Sequence, residues 1–391
     1  TLLLLLREPE RGAVVPDKMQ GIQRACGFCS IVVAALSVAV ACFLSTSQSA
    51  AAYRIRTAYQ AFRSLHAIPA EEFEAFMASF GIFERSDGNW YVNATSDYEG
   101  VKDYYRVLNR LCSLGSVEKM YIPPILDPSQ GVFENQLIFE KGFADELGVG
   151  PGKLVLDMGC GRGRVAHTVA SHTGAKVIGL NIEPNQLQEG RRYARETGLL
   201  GTQLEFIEAN FNDPLPFPDN HFDAFYQVQV MTYSKDLKSV FREIFRVLKP
   251  GAKMSVLDGV MLDGYNSSDP AHRQLLNETR QVTGFGGFWH TDVWRQAVEE
   301  SGFTVLFHGD KSIGGHQYPL IEQESQLFDK WMWALKLACR IGLLPPQLEA
   351  LMLRFNLHKE SFMEMDKRGM LTTSWHILAQ KIIQPRSGEH S

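Results

Sequence analysis

Apolar positions along this chain follow two rhythms. Between Tyr53 and Met120 they recur every three or four residues. "IPAEEFEAFMASFGIF", starting after Pro69, places acids in a first turn and Phe73, Phe76 and Phe80 on one face. "DYEGVKDYYRVLNRLCSL" spaces Tyr98, Val101, Tyr105, Leu108 and Leu111 in the same way. Both stretches predict amphipathic helices. "MYIPPILDPSQGVFENQ" carries three prolines and predicts a structured loop. Beyond it, short apolar runs alternate with helical patterns. Strands are expected at Leu154–Met158, Lys176–Leu180, Gln203–Glu208, Phe222–Val228, Lys253–Asp258 and Thr304–His308, with a last one from Ser374 to Ile382. Helices such as Pro184–Thr197 and Leu237–Leu248 fill the gaps. This alternation predicts an α/β fold whose parallel sheet is covered on both faces.

A third texture precedes these. "GFCSIVVAALSVAVACFL", Gly27 to Leu44, is uncharged throughout and would span about 27 Å as a helix. Residues 1–25 read as a leader and 26–46 as a hydrophobic anchor or signal segment. Lys18 and Arg24 lie before it, Arg54 and Arg56 after it, so the flanking charges set no orientation.

Composition narrows the function. Lys and Arg number 39 against 44 Asp and Glu, giving a net charge of −5. No basic stripe suits a phosphate backbone, so nucleic acid is not an expected partner. Six scattered cysteines in 391 residues exclude a disulfide scaffold and show no zinc spacing.

The densest chemical signal is "LVLDMGCGRGRVAHTVA". A buried strand runs into Asp157; Gly159, Gly161 and Gly163 follow, and then a helix. Such a turn brings main-chain N–H groups to a ligand at a helix N-terminus. The third glycine comes one residue too early for a dinucleotide fingerprint, because Arg164 occupies that place. The absence of a following Lys-Ser/Thr pair excludes a nucleotide-hydrolase phosphate loop.

The D-x-G-x-G-x-G spacing resembles motif I of the class I S-adenosylmethionine-dependent methyltransferases. Three later segments resemble the same family in order: "VIGLNIEPNQ", "FIEANFNDPLPFPDNHFDAFY" and "VFREIFRVLKPGAKMSV". The resemblance implies a Rossmann-like core at 151–309 holding S-adenosyl-L-methionine. Asp157, Gly159, Cys160, Gly161 and Gly163 would receive its methionine part, and Asn181 and Glu183 its ribose, with Gln186 a further cofactor-binding candidate. Ala209, Asn210 and Phe211 would edge the adenine, with Gln227 nearby. A helical region, 53–150, would precede this core.

After Asp97 the chain is similar, more specifically, to the sterol 24-C-methyltransferases. Pro270, His272 and Arg273 match a Pro-x-His-Arg segment, and "FWHTDVWRQAVEESGFTVL" and "TTSWHILAQKI" match further on. The resemblance implies that residues 310–384 form a lipid-binding lid and last strand. It also implies a sterol-like lipid substrate, membrane attachment through the N-terminal segment and a cytosol-facing catalytic domain at the endoplasmic reticulum; a homo-oligomer is compatible with it. The family's aromatic Tyr-x-x-Gly-Trp-Gly stretch is here "SVEKMYIPPILDPSQG", and its Glu-Ala-Thr-Cys-His segment is "QVMTYS", with Gln229 for the glutamate and Tyr233 for the histidine.

Alkene methylation leaves a carbocation that needs aromatic faces or carboxylates, then a base. Tyr104, Tyr105, Tyr121, Tyr226, Tyr233, Asp258 and His290 are the candidates, with Asp258 or Tyr233 substituting for the charge missing at Gln229. For His290 a cap before Asp292 is an equal alternative. Other acceptors remain open: a triterpene, a tocopherol or quinol, or phosphoethanolamine. So does a catalytically silent, membrane-anchored protein.

Overall fold

The computed structural model describes residues 68–84, 94–114, 118–342, 344 and 346–382. The segment 26–46 lies outside them. No helix among the described residues is long and apolar enough to cross a membrane.

Helices α1 (Ala70–Ser79) and α2 (Ala94–Leu114) come first, followed by the proline-rich loop and α3 (Val132–Leu147). The sheet then begins with β1 (Leu154–Met158), α4 (Arg164–Thr173), β2 (Lys176–Asn181), α5 (Pro184–Glu196), β3 (Leu204–Glu208) and β4 (Phe222–Val228). It continues with α6 (Leu237–Val247), β5 (Leu248–Met261), α7 (Pro270–Thr283), β6 (Trp289–His290), α8 (Thr291–Glu300) and β7 (Phe303–Asp310). Three helices follow, α9 (Tyr318–Arg340), α10 (Pro346–Asn356) and α11 (Lys359–Lys367), before β8 (Leu371–Lys381).

The sheet order is β3-β2-β1-β4-β5-β8-β7, with β6 pairing on β5. Strands β1 to β5 are parallel, as the alternating pattern predicts. β8 is not: it runs antiparallel to both β5 and β7. Pairing with β8 also explains why β5 outruns the expected Lys253–Asp258, since Val260 and Met261 align with Thr372 and Leu371.

Alternation along each strand builds two cores. Val155, Ala224 and Tyr226 face α3, α4 and α5 through Phe139, Phe143, Val169 and Leu187. Leu156, Met158, Phe225 and Val256 face the other way, onto Phe241 and Ile244 of α6 and Trp294 of α8. The hairpin of α1 and α2 belongs to this second core. Phe76, Phe80, Phe83 and Tyr104 interlock there, with ring centroids 5.0 Å apart for Phe83 and Tyr104. The hairpin thereby carries α2 to the carboxyl ends of β1, β2 and β4, where open α/β sheets bind ligands.

Candidate functional site

A cavity opens at those strand ends, with about 1100 Å³ of atom-free space including its mouth. Its floor is the turn after β1. The N–H groups of Gly159 and Cys160 both donate to Leu180 O, at 2.7 and 3.0 Å, tying the turn to β2. A Cβ on Gly159 would sit 2.3 Å from a Val230 methyl, and one on Gly163 would sit 2.5 Å from the Phe206 ring. Both positions also have positive φ, so glycine is required twice over. Gly163 therefore seats the start of α4 against β3 and does not line the cavity, whereas Gly159, Cys160 and Gly161 do.

Asp157 is fully enclosed at the end of β1. Burial raises its pKa to about 7, partly offset by the Tyr226 phenol beside it on β4 and reinforced by Glu140. The Tyr226 hydroxyl is the side-chain donor beside the Asp157 carboxylate, at imperfect geometry. Asp157 also belongs to the cavity lining, where a buried carboxylate suits a cationic or hydrogen-bonding ligand group. Tyr226 lies beneath the cavity rather than in its wall, and its phenol is pushed well above its ordinary pKa by burial and by Asp157.

Asn181, Glu183 and Gln186 all reach the wall, with unequal freedom. Glu183 caps α5: Oε1 accepts from the Asn185 N–H at 3.1 Å and Oε2 from the Gln186 N–H at 2.7 Å. Its carboxylate is thus engaged by the protein. Asn181 Nδ2 donates to Gln186 Oε1 at 2.7 Å, and Gln186 Nε2, also buried, has no partner among the described residues. Asn210 and Phe211 line the next stretch; Ala209 does not. Gln227 also lies outside the lining. It braces the loop after β4, accepting from the Val230 N–H at 3.0 Å and donating to Leu257 O at 3.2 Å.

The acceptor-side candidates separate more sharply. Tyr233 lines the cavity and donates its hydroxyl proton to Gly284 O. Tyr105, 3.1 Å away, must then be the donor between the two phenols. Burial and the neighbouring Tyr105 keep Tyr233 neutral. Tyr121 also lines the wall, while Tyr104 is packed into the aromatic hairpin.

Three further candidates lie away from this cavity among the described residues. Asp258 is buried with its oxygens occupied: Oδ2 accepts from Val230 and Met231 N–H at 3.2 and 2.8 Å, and Oδ1 from Gly259 N–H at 2.7 Å. Burial raises its pKa to about 7 against the pull of those bonds. It fastens the loop leading to Tyr233 and does not face the cavity. His290 caps α8, with Nδ1 accepting from Asp292 N–H at 3.3 Å and Nε2 2.9 Å from Asp263. Of the two alternatives for His290, this geometry is that of the cap. Among the described residues, none of the helices between β7 and β8 lines this cavity, and Tyr98, Val101 and Tyr105 of α2 do.

Gln229 does reach the wall, in a left-handed conformation with φ 54°. Its amide bolts the proline-rich loop to the sheet: Nε2 donates to Ile122 O at 2.7 Å and Thr373 O at 2.8 Å, while Oε1 accepts from Ile122 N–H at 3.1 Å. Sequence reasoning missed the group beneath this loop. Glu140 of α3, with no exposed surface, meets Lys119 Nζ at 2.5 Å and the Tyr121 hydroxyl at 2.7 Å. Lys119, Glu118, Arg162 and Arg164 all border the cavity. A hint existed in α3, where Gln136 and Glu140 interrupt a stripe containing Phe139, Phe143 and Leu147.

With this geometry established, similarity to known proteins places the class. Residues 156–256 match the family model described as a methyltransferase domain. The fold is that of S-adenosylmethionine-dependent class I methyltransferases. The chain is 21% identical to the [4+2]-cyclase SpnF, with a TM-score of 0.57 over 73% of this chain and 97% of that one. Geranyl diphosphate C-methyltransferase from Streptomyces coelicolor A3(2), crystallised with S-adenosyl-L-homocysteine, gives 0.54 at 18% identity over 73% and 97%.

Closer in sequence are methyltransferase phqN of Penicillium fellutanum and two sterol 24-C-methyltransferases. The first is 33% identical over 53% of this chain and 62% of the relative. The sterol 24-C-methyltransferase of Yarrowia lipolytica is 35% identical, covering 46% and 47% of the two chains, and that of Saccharomyces cerevisiae 35%, covering 46% of each. The match thus spans about half the length of these curated relatives.

Proposed function

We propose that this chain is an S-adenosyl-L-methionine-dependent methyltransferase that alkylates a lipid acceptor, specifically a side-chain alkene of a sterol. The observation that carries the reading is Asp157, a buried carboxylate with the Tyr226 phenol beside it, in the lining at the glycine turn of an aromatic-walled cavity. The residues fit the cofactor. Asp157 would hold the amino group of its methionine part against the Gly159–Gly161 backbone, Asn181 and Gln186 its ribose, and Asn210 and Phe211 its base. When bound, it supplies a methyl group on a sulfonium, an electrophile that needs orientation more than acid–base help.

The protein's own contribution lies across the cavity. Tyr98, Tyr105, Tyr121 and Tyr233 present rings and oriented hydroxyls to positive charge developing on the acceptor. Gln229 and Asp258 are committed to structural bonds, so neither serves as the base. Among the described residues, Glu118 is the lining carboxylate left for that task, with Arg164 3.7 Å away. The sterol relatives support the acceptor class, and the endoplasmic reticulum, with the catalytic domain facing the cytosol, is the location that acceptor favours.

The test is incubation of the full chain with labelled cofactor and sterols bearing a side-chain double bond, followed by mass spectrometry. A labelled, one-carbon-heavier sterol is expected, and Glu118→Gln should reduce turnover more than cofactor binding. Labelling of a prenyl or quinol acceptor but of no sterol would discard the acceptor. An absence of heat on titration with S-adenosyl-L-homocysteine would discard the enzyme class.

A further inference from the structure

Helix α9 is apolar on two sides. Its inward side is satisfied: Met332 is buried and Leu335 packs against the main core. The outward side should then be polar, yet Trp333 is 71% exposed, Leu337 46% and Ile341 63%. At about 100° per residue these positions and Arg340 share one arc of the helix, with Lys336 at its edge. From Lys330 to Gly342 the sequence holds three bases and no acid, and Asp329, one turn earlier on the same arc, is paired with Lys359 at 2.7 Å. Lys336 and Arg340 make no ion pair among the described residues. Leu353 and Leu357, on and just after α10, which packs against α9, are exposed as well.

We propose that this face of α9 docks in the headgroup region of an anionic lipid surface, with Trp333, Leu337 and Ile341 inserted and Lys336 and Arg340 on lipid phosphates or carboxylates. Long basic side chains beside an apolar stripe and an interfacial tryptophan suit a helix lying in the plane of a bilayer. Charge selects this occupant over two others. A second copy meeting the face isologously would set Arg340 and Lys336 against their own kind. The uncharged Gly27–Leu44 run of this chain would leave both bases without counter-charge. The inference does not depend on the acceptor's identity.

The full chain should be sedimented with phosphatidylcholine vesicles, with and without phosphatidylserine. Phosphatidylserine is expected to increase partitioning, and added salt to remove the increase. Trp333→Ser/Leu337→Ser and Lys336→Glu/Arg340→Glu, both at solvent-facing positions, should each lower binding to the anionic vesicles roughly tenfold with unchanged circular dichroism. Wild-type binding by either double variant overturns the proposal, the first assigning binding to other parts of the chain and the second removing the anionic requirement. Self-association of the wild type that Trp333→Ser/Leu337→Ser abolishes would make a second copy the occupant, and overturn it equally.

Discussion

The Gln229 side chain and the Ile122 backbone bond in both directions, Oε1 accepting at 3.1 Å and Nε2 donating at 2.7 Å. An amide can do this and a carboxylate cannot, because an ionised glutamate only accepts. Gln229→Glu would set a charge against the carbonyls of Ile122 and Thr373. A loss of about 2–3 kcal/mol is expected, read as a lower denaturation midpoint with faster proteolysis of the 118–131 loop. An unchanged midpoint would show that the loop is held by other contacts.

Asp157 supplies a pH test. Its pKa rises from 3.8 to about 7 on burial, so the folded chain holds this proton more tightly than the unfolded one. Stability is therefore greatest below the lower value and declines as pH climbs through the higher one. Asp157→Asn removes that decline. The free protein should melt higher than wild type at pH about 8 while giving no heat with S-adenosyl-L-homocysteine. Asp258, also raised to about 7, leaves a second slope that this variant retains. A lower melting point in the variant would mean that the charged carboxylate is stabilised in the free protein.

His290→Ala separates capping from chemistry. Loss of the bond to the Asp292 N–H should cost no more than about 1 kcal/mol and leave kcat and KM unchanged. A fall in kcat at unchanged KM would restore His290 to the reaction.

Glu140 and Lys119 form a buried ion pair at the edge of the cavity. Glu140→Gln strands the ammonium and should destabilise the protein by about 3–5 kcal/mol. Adding Lys119→Met should recover part of that loss in a double-mutant cycle. Additive losses would show that the two side chains act independently.

Much of the framework could be read along the chain. β1, β2 and β4 are continuous apolar runs because helices cover both faces of the sheet, and the turn at Gly159 is written as glycine because Val230 leaves no room for a side chain. The starts of α5 and α6 were legible for local reasons too, Pro184 opening one and Asp236 capping the other. The use of each polar side chain was less visible. Glu183 reads as a ligand for a ribose, yet it faces two N–H groups that helix α5 leaves unpaired. Asp258 reads as a base, yet its partners at Val230 and Met231 arrive from the loop after a neighbouring strand.

Sequence alone determined the order of strands and helices, the glycine turn and the aromatic supply, because each depends on neighbours a few residues away. Tertiary structure alone decided that β8 inserts antiparallel between β5 and β7, that among the described residues α2 and not the region before β8 lines this cavity, and which carboxylates remain free to act. Those outcomes turn on contacts between residues such as Gln229 and Thr373 or Lys119 and Glu140, which no local spacing encodes. A buried polar group takes whichever partner the packed fold brings within reach.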